Sequence, residues 1–238
     1  MSYADNPYAA PGYTFAAQAA ADERAGFIAK TYAHLAGAIV AFIAIEAVLL
    51  NTPGIENLVG LMLGTRYGWL VVLGLFMVVS WIADSWAQSP VSPTKQYWGL
   101  GLFVVAEAVI FVPLLFIAQR VDANIIPLAG FTTLVLFSVL TAIVMFTRRD
   151  FSFLRTVLLF GGFAAMGLIV VSILFNFALG PIFTYAMIAL ACGYILYDTS
   201  NVLHHYRIGQ HIAAALALFA AVALLFWYIV RLFLASRR

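Results

Sequence analysis

Four carboxylates, Glu46, Asp84, Glu107 and Asp198, interrupt stretches that are otherwise almost wholly apolar. A charged group at the centre of a bilayer costs about 2.5–3.5 kcal/mol even on insertion scales. An acid retained there usually faces a bundle interior, where it is protonated, paired or wetted. Glu46 stands close to the turn sequence NTPG, which predicts a carboxylate reaching the headgroups. Asp84 is followed by Gln88 and Ser89, and both the headgroup and the interior reading stay open for it. Glu107 and Asp198 lie farther from any break. At 1.5 Å per residue, Glu107 falls about 16 Å and Asp198 about 12 Å from the same membrane face, so the two acids could meet inside a bundle.

Asp198 has polar company. Tyr194, Asp198, Asn201 and His205 follow spacings of four, three and four, which places them on one helical face. Ser80, Asp84 and Gln88 form a second polar row at spacing four. Two such stripes describe either a wetted cavity or closed pore, or an interhelical hydrogen-bond seam, whose contacts commonly contribute well under 2 kcal/mol each. Further along, Ala213, Ala217 and Ala221 recur every fourth residue beside Ala214 and Ala220, and Gly60, Gly64 and Gly68 repeat that spacing. Small residues so placed let helix backbones approach closely. The last helix is therefore expected to be surrounded by neighbours.

The elements that must position these residues follow from composition. The 238-residue chain is 65% hydrophobic and 9% charged, with a mean hydropathy of +1.02. Soluble domains carry about 25% charged residues. This excludes a soluble enzyme, a nucleic-acid-binding protein and a disordered chain, and leaves a polytopic membrane protein whose first partner is the lipid bilayer. Apolar segments long enough to cross roughly 30 Å of hydrocarbon run over Thr31–Leu50, Tyr67–Ala87, Tyr97–Ala118, Asn124–Thr147, Leu154–Phe177, Pro181–Leu203 and His211–Leu234. They are continuously apolar rather than alternating, so the expected class is all-α with seven transmembrane helices. Residues 1–23 read as a flexible tail with no basic residue and no apolar core, which argues against a secretory signal peptide. Residues 24–238 read as one transmembrane domain.

Seven basic residues fall on the side of the N-terminus and five on the other, three of the five at the C-terminal end. The positive-inside rule then favours a cytoplasmic N-terminus. A re-entrant last segment would instead leave both termini cytoplasmic. Cys192 excludes a disulfide framework and reads as packing. His204, His205 and His211 cluster around one loop but lack HxxxH or HExxH spacing. Zinc hydrolases need three protein ligands and an open position, so no catalytic residue, metal or cofactor is expected.

Three blocks, AGFIAKTYAHLAGAI after the tail, TRRDFSFL between the fourth and fifth spans and YDTSNVL ending the sixth, give the chain a resemblance to the Bax inhibitor-1/YccA family of transmembrane Bax inhibitor motif proteins. The resemblance runs from Arg24 to Leu234. It implies six helices around a central seventh, a bacterial inner-membrane location and a pH-sensitive calcium leak. It also implies a pair of aspartates, the first of which corresponds to Asp198. The second belongs to a stretch resembling YxAAxLxLYLDIxNLF, which here reads HIAAALALFAAVALLF, with Ala221 at the aspartate and Leu224 at the asparagine. Two carboxylates in one buried site cannot both ionise cheaply, and together they offer hard oxygen ligands suited to calcium. Glu107 is the expected stand-in for the missing acid. The resemblance carries a second reading, a non-channel protein that modulates a membrane-anchored ATP-dependent protease through the tail, where Tyr3, Tyr8, Tyr13 and Phe15 would supply contacts.

Overall fold

In a bilayer, an apolar segment must satisfy its own backbone hydrogen bonds, and a single run can do so only as a helix. The computed structural model describes residues 14–65, 67–89 and 92–237. It is all-α over them: α1 (Ala21–Leu50), α2 (Ile55–Leu63), α3 (Gly68–Ala87), α4 (Pro93–Val121), α5 (Ile125–Thr147), α6 (Leu154–Phe175), α7 (Pro181–His204) and α8 (His211–Ser236). Seven of these are long and apolar enough to cross a membrane. The exception is α2, nine residues long, in a stretch that reads as a loop. Gly54, at φ 84°, supplies the left-handed residue before it. Ile55 and Val59 then pack against Val112 of α4.

α1, α4, α7 and α8 extend past their apolar runs, whereas α3, α5 and α6 stay within theirs. α4 starts at Pro93 rather than Tyr97, because Ser92 caps it, accepting from the Lys95 amide at 3.3 Å, and proline suits the first helical position. α1 starts at Ala21, inside the segment read as tail. Residues 14–20 are also engaged: Phe15 bridges to Arg207, the Ala16 amide donates to the Tyr206 carbonyl at 2.9 Å, and the Ile208 amide donates to that of Thr14 at 3.1 Å. Ala16 is fully buried. A free tail can therefore extend no further than residue 13, and Tyr3, Tyr8 and Tyr13 lie outside the described residues.

α8 is the most buried span. It packs on α1, α3, α4, α5 and α7, while α6 packs chiefly on α7. α3 and α4 approach so closely that a Cβ at Gly99 would lie 2.5 Å from the Ala83 carbonyl oxygen and the Ala87 amide nitrogen. Aromatic rings fill the α1–α4–α8 junction, with Phe42 5.1 Å from Phe111 and Phe111 4.9 Å from Trp227. At one end of the bundle the rings of His34 and His211 lie 5.0 Å apart. At the other, Arg237 pairs with Asp122 at 3.2 Å. The Asn124 amide and then Arg237 hold the Asp122 carboxyl below its usual range, against partial burial. α8 thus crosses completely, its two ends lie at opposite ends of the bundle, and the re-entrant alternative does not hold.

Candidate functional site

A cavity of about 890 Å³ lies between α3 and α4 on one wall and α6 and α7 on the other, with α8 as its floor. Asp84, Glu107 and Asp198 all line it, and so does Ala221, where the resemblance puts the second aspartate. Pro113 lines it too, at the point where α4 forgoes a backbone hydrogen bond. Glu107 is 8% and Asp198 9% exposed. Neither makes a hydrogen bond or ion pair among the described residues, and they do not bond to one another. Asp84 is half-buried and accepts from Gln88 Nε2 at 2.6 Å. Ser80 joins the lining with a buried hydroxyl that has no partner.

Tyr206, in the turn after α7, marks the end at which two of these acids sit. Burial first, and then the negative charges of Asp198, Asp84 and Tyr197, hold its hydroxyl well above the usual tyrosine range. Measured from the ends of their own helices at 1.5 Å per residue, Asp84 lies about 5 Å, Asp198 about 9 Å and Glu107 about 21 Å inward. Glu107 sits deeper than its expected level because α4 begins earlier.

The stripe read along α7 divides at Asp198. Tyr194 and Asp198 line the cavity, with the Tyr194 hydroxyl donating to the Leu158 carbonyl of α6 at 3.0 Å. Asn201 is half-buried and outside the lining, and its carbonyl accepts from the amides of His205 and Tyr206 at 2.9 Å. His205 is exposed and pairs with Asp150 at 3.0 Å. His205 still holds its helical position, its amide donating to the Asn201 carbonyl, but it stands at the helix end, past the cavity, where its exposed ring meets Asp150. The three loop histidines do not converge, since His204 Nδ1 lies 3.0 Å from the Ser200 carbonyl and the His211 ring lies against that of His34, tilted by 57°. Of the alanine row, Ala213 packs among neighbours, whereas Ala217 and Ala221 flank the cavity.

Glu46 corrects the headgroup expectation. It is 4% exposed and neither carboxylate oxygen has a hydrogen-bond partner among the described residues. Nearness to NTPG measured its distance from the helix end but not the face it occupies, and that face turns inward.

A second polar region joins two of the blocks noted in the sequence. Arg148, in the left-handed conformation, ends α5. The following turn brings the Phe151 amide to the hydroxyl of Ser200, which it donates to at 2.9 Å. Asp150 accepts from the Ser152 amide at 2.9 Å. Burial opposes ionisation of Asp150, but that amide and His205 together hold its carboxyl below the usual range. TRRDFSFL and YDTSNVL therefore touch. Sequence reasoning passed over Ser200 and Asp150 as site residues, although both sit inside the quoted blocks.

Comparison with known proteins fits this arrangement. The family model described as inhibitor of apoptosis-promoting Bax1 matches residues 24–238. Protein LIFEGUARD 4 of Arabidopsis thaliana is 28% identical over 219 residues, covering 90% of this chain and 86% of the relative. Bax inhibitor 1 of Schizosaccharomyces pombe is 28% identical over 214 residues, covering 85% and 74%. With the match spanning all seven membrane helices, the chain belongs to the Bax inhibitor-1 family.

Proposed function

We propose that this protein is a pH-sensitive cation leak of a bacterial inner membrane, with calcium as the ion and the acid-lined cavity as its path. One observation carries the reading: Asp84, Glu107 and Asp198 line one cavity, the latter two buried and without hydrogen-bond or ion-pair partners among the described residues. Unpaired interior acids are costly, and their usual use is an ion or proton pathway. Ala221 faces the same space, so the missing second carboxylate would have stood across it. Glu107 from α4 and Asp84 from α3 take up its role in this reading. Carboxylates that compete for charge in one site couple proton release to cation entry. The N-terminus is cytoplasmic in this proposal, supported by the excess of basic residues on its side, and α8 is the helix around which the others are arranged.

The test is calcium entry into proteoliposomes across pH. The wild type should conduct in a pH-dependent way, and Glu107→Gln should shift or flatten that dependence. An unchanged curve in Glu107→Gln removes Glu107 from the mechanism. No entry above protein-free vesicles at any pH removes the leak.

A further inference from the structure

The half-open positions in the middle of α8 include Ala217, Ala220, Leu224, Trp227 and Arg231, which follow spacings of three, four, three and four and all line the cavity. On a helix otherwise closely packed by neighbours, this stripe is left facing space. It is graded along its length. Alanines face the acidic end, Leu224 and Trp227 follow, and Arg231 stands at the far mouth, where Leu63 and Leu179 complete the lining. From Ala217 to Arg231 the stripe runs about 21 Å. The Arg231 guanidinium lies 5.6 Å from the centre of the Tyr228 ring, and no carboxylate among the described residues pairs with it.

Apolar space of this kind does not hold water well, and left empty it forfeits dispersion contacts along its walls. Its volume of about 890 Å³ falls within the roughly 300–1,000 Å³ of sites that take small organic ligands by apolar walls and a few polar anchors. A guanidinium without a carboxylate partner suits the phosphate of a lipid headgroup. We infer that the cavity binds a membrane phospholipid with an anionic headgroup, its phosphate on Arg231 and one acyl chain laid along Trp227 and Leu224. One leaflet supplies about half of the roughly 30 Å hydrocarbon thickness. A chain of about 15 Å starting at Arg231 ends beside Ala221, short of Asp198. The lipid thus fills the half of the cavity away from Asp84 and Asp198, passing beside Glu107, and leaves those two acids to water and ions.

The site stands apart from the ion-leak reading, because it is read by bound lipid and not by flux. Purified full-length protein is exchanged into detergent with equal phosphatidylglycerol and phosphatidylcholine, and retained lipid is measured by native mass spectrometry. Phosphatidylglycerol should be retained in preference by about fivefold. Arg231→Gln should remove the preference, and Ala220→Phe should reduce retention of both lipids. Leu224→Trp serves in place of Ala220→Phe if the latter loses its helical circular dichroism. Equal retention of the two lipids by the wild type overturns the proposal, as does undiminished retention in the filled-cavity variant.

Discussion

α7 passes through two polar regions within a few residues, and they are built on opposite terms. Towards its C-terminal end Ser200 accepts from the Phe151 amide at 2.9 Å, Asp150 accepts from Ser152, and His205 closes the turn at 3.0 Å. Half a turn earlier and on another face, Asp198 is 9% exposed and makes no hydrogen bond or ion pair among the described residues. Buried polar groups in stable structure are ordinarily satisfied. The satisfied region behaves as a joint that fixes the α5–α6 turn against α7, whereas the unsatisfied one keeps its donors and acceptors free for something absent from the chain itself. Polarity alone would have grouped Asp198 with Asn201 and His205; partnership separates them.

Removing the joint should damage stability more than flux. Ser200→Ala leaves the Phe151 amide without its acceptor in a closely packed turn, a loss of about 1–3 kcal/mol. A lowered thermal midpoint with a retained pH–flux curve is the expected pair of results. A flux curve altered as much as stability would make the joint part of the pathway.

Ala221→Asp acts on the other region. It returns a carboxylate to the cavity opposite Asp198 and should raise calcium entry and steepen its pH dependence, read in the same vesicles. No change would show that Asp84 and Glu107 already supply what a second aspartate would add.

The smallest effect is expected from acid. Asp150 is held below its ordinary value in the folded chain. Its contribution to stability is therefore present above the unfolded carboxylate value near 3.9 and is lost as pH falls through the lower folded one. Because the pair is well exposed, solvent screening limits the contribution to a fraction of about 1 kcal/mol. Asp150→Asn should abolish that acid limb in thermal melts while leaving stability at neutral pH nearly unchanged. An acid limb that persists in the variant assigns it elsewhere.

The seven spans were readable because continuous apolar runs of that length have one backbone solution in lipid. α2 was not, since nine residues between glycines carry no length signal and its packing on Val112 is tertiary. Distance along a helix was estimated well enough to put Glu107 and Asp198 in one cavity, but rotation about the axis was not. Glu46 turned inward against expectation, and His205 lies past the end of the cavity, where it pairs with Asp150. Which acids share a space depends on helix packing, and only packing shows Asp84 lining the same cavity as Asp198 and Glu107.

The most direct test of the account is the pH–flux curve of Asp198→Asn in calcium-loaded proteoliposomes, at matched protein incorporation and with helical content checked by circular dichroism. The account predicts that this folded variant loses most of the wild-type calcium flux and its dependence on pH. A curve that overlays the wild type would contradict it.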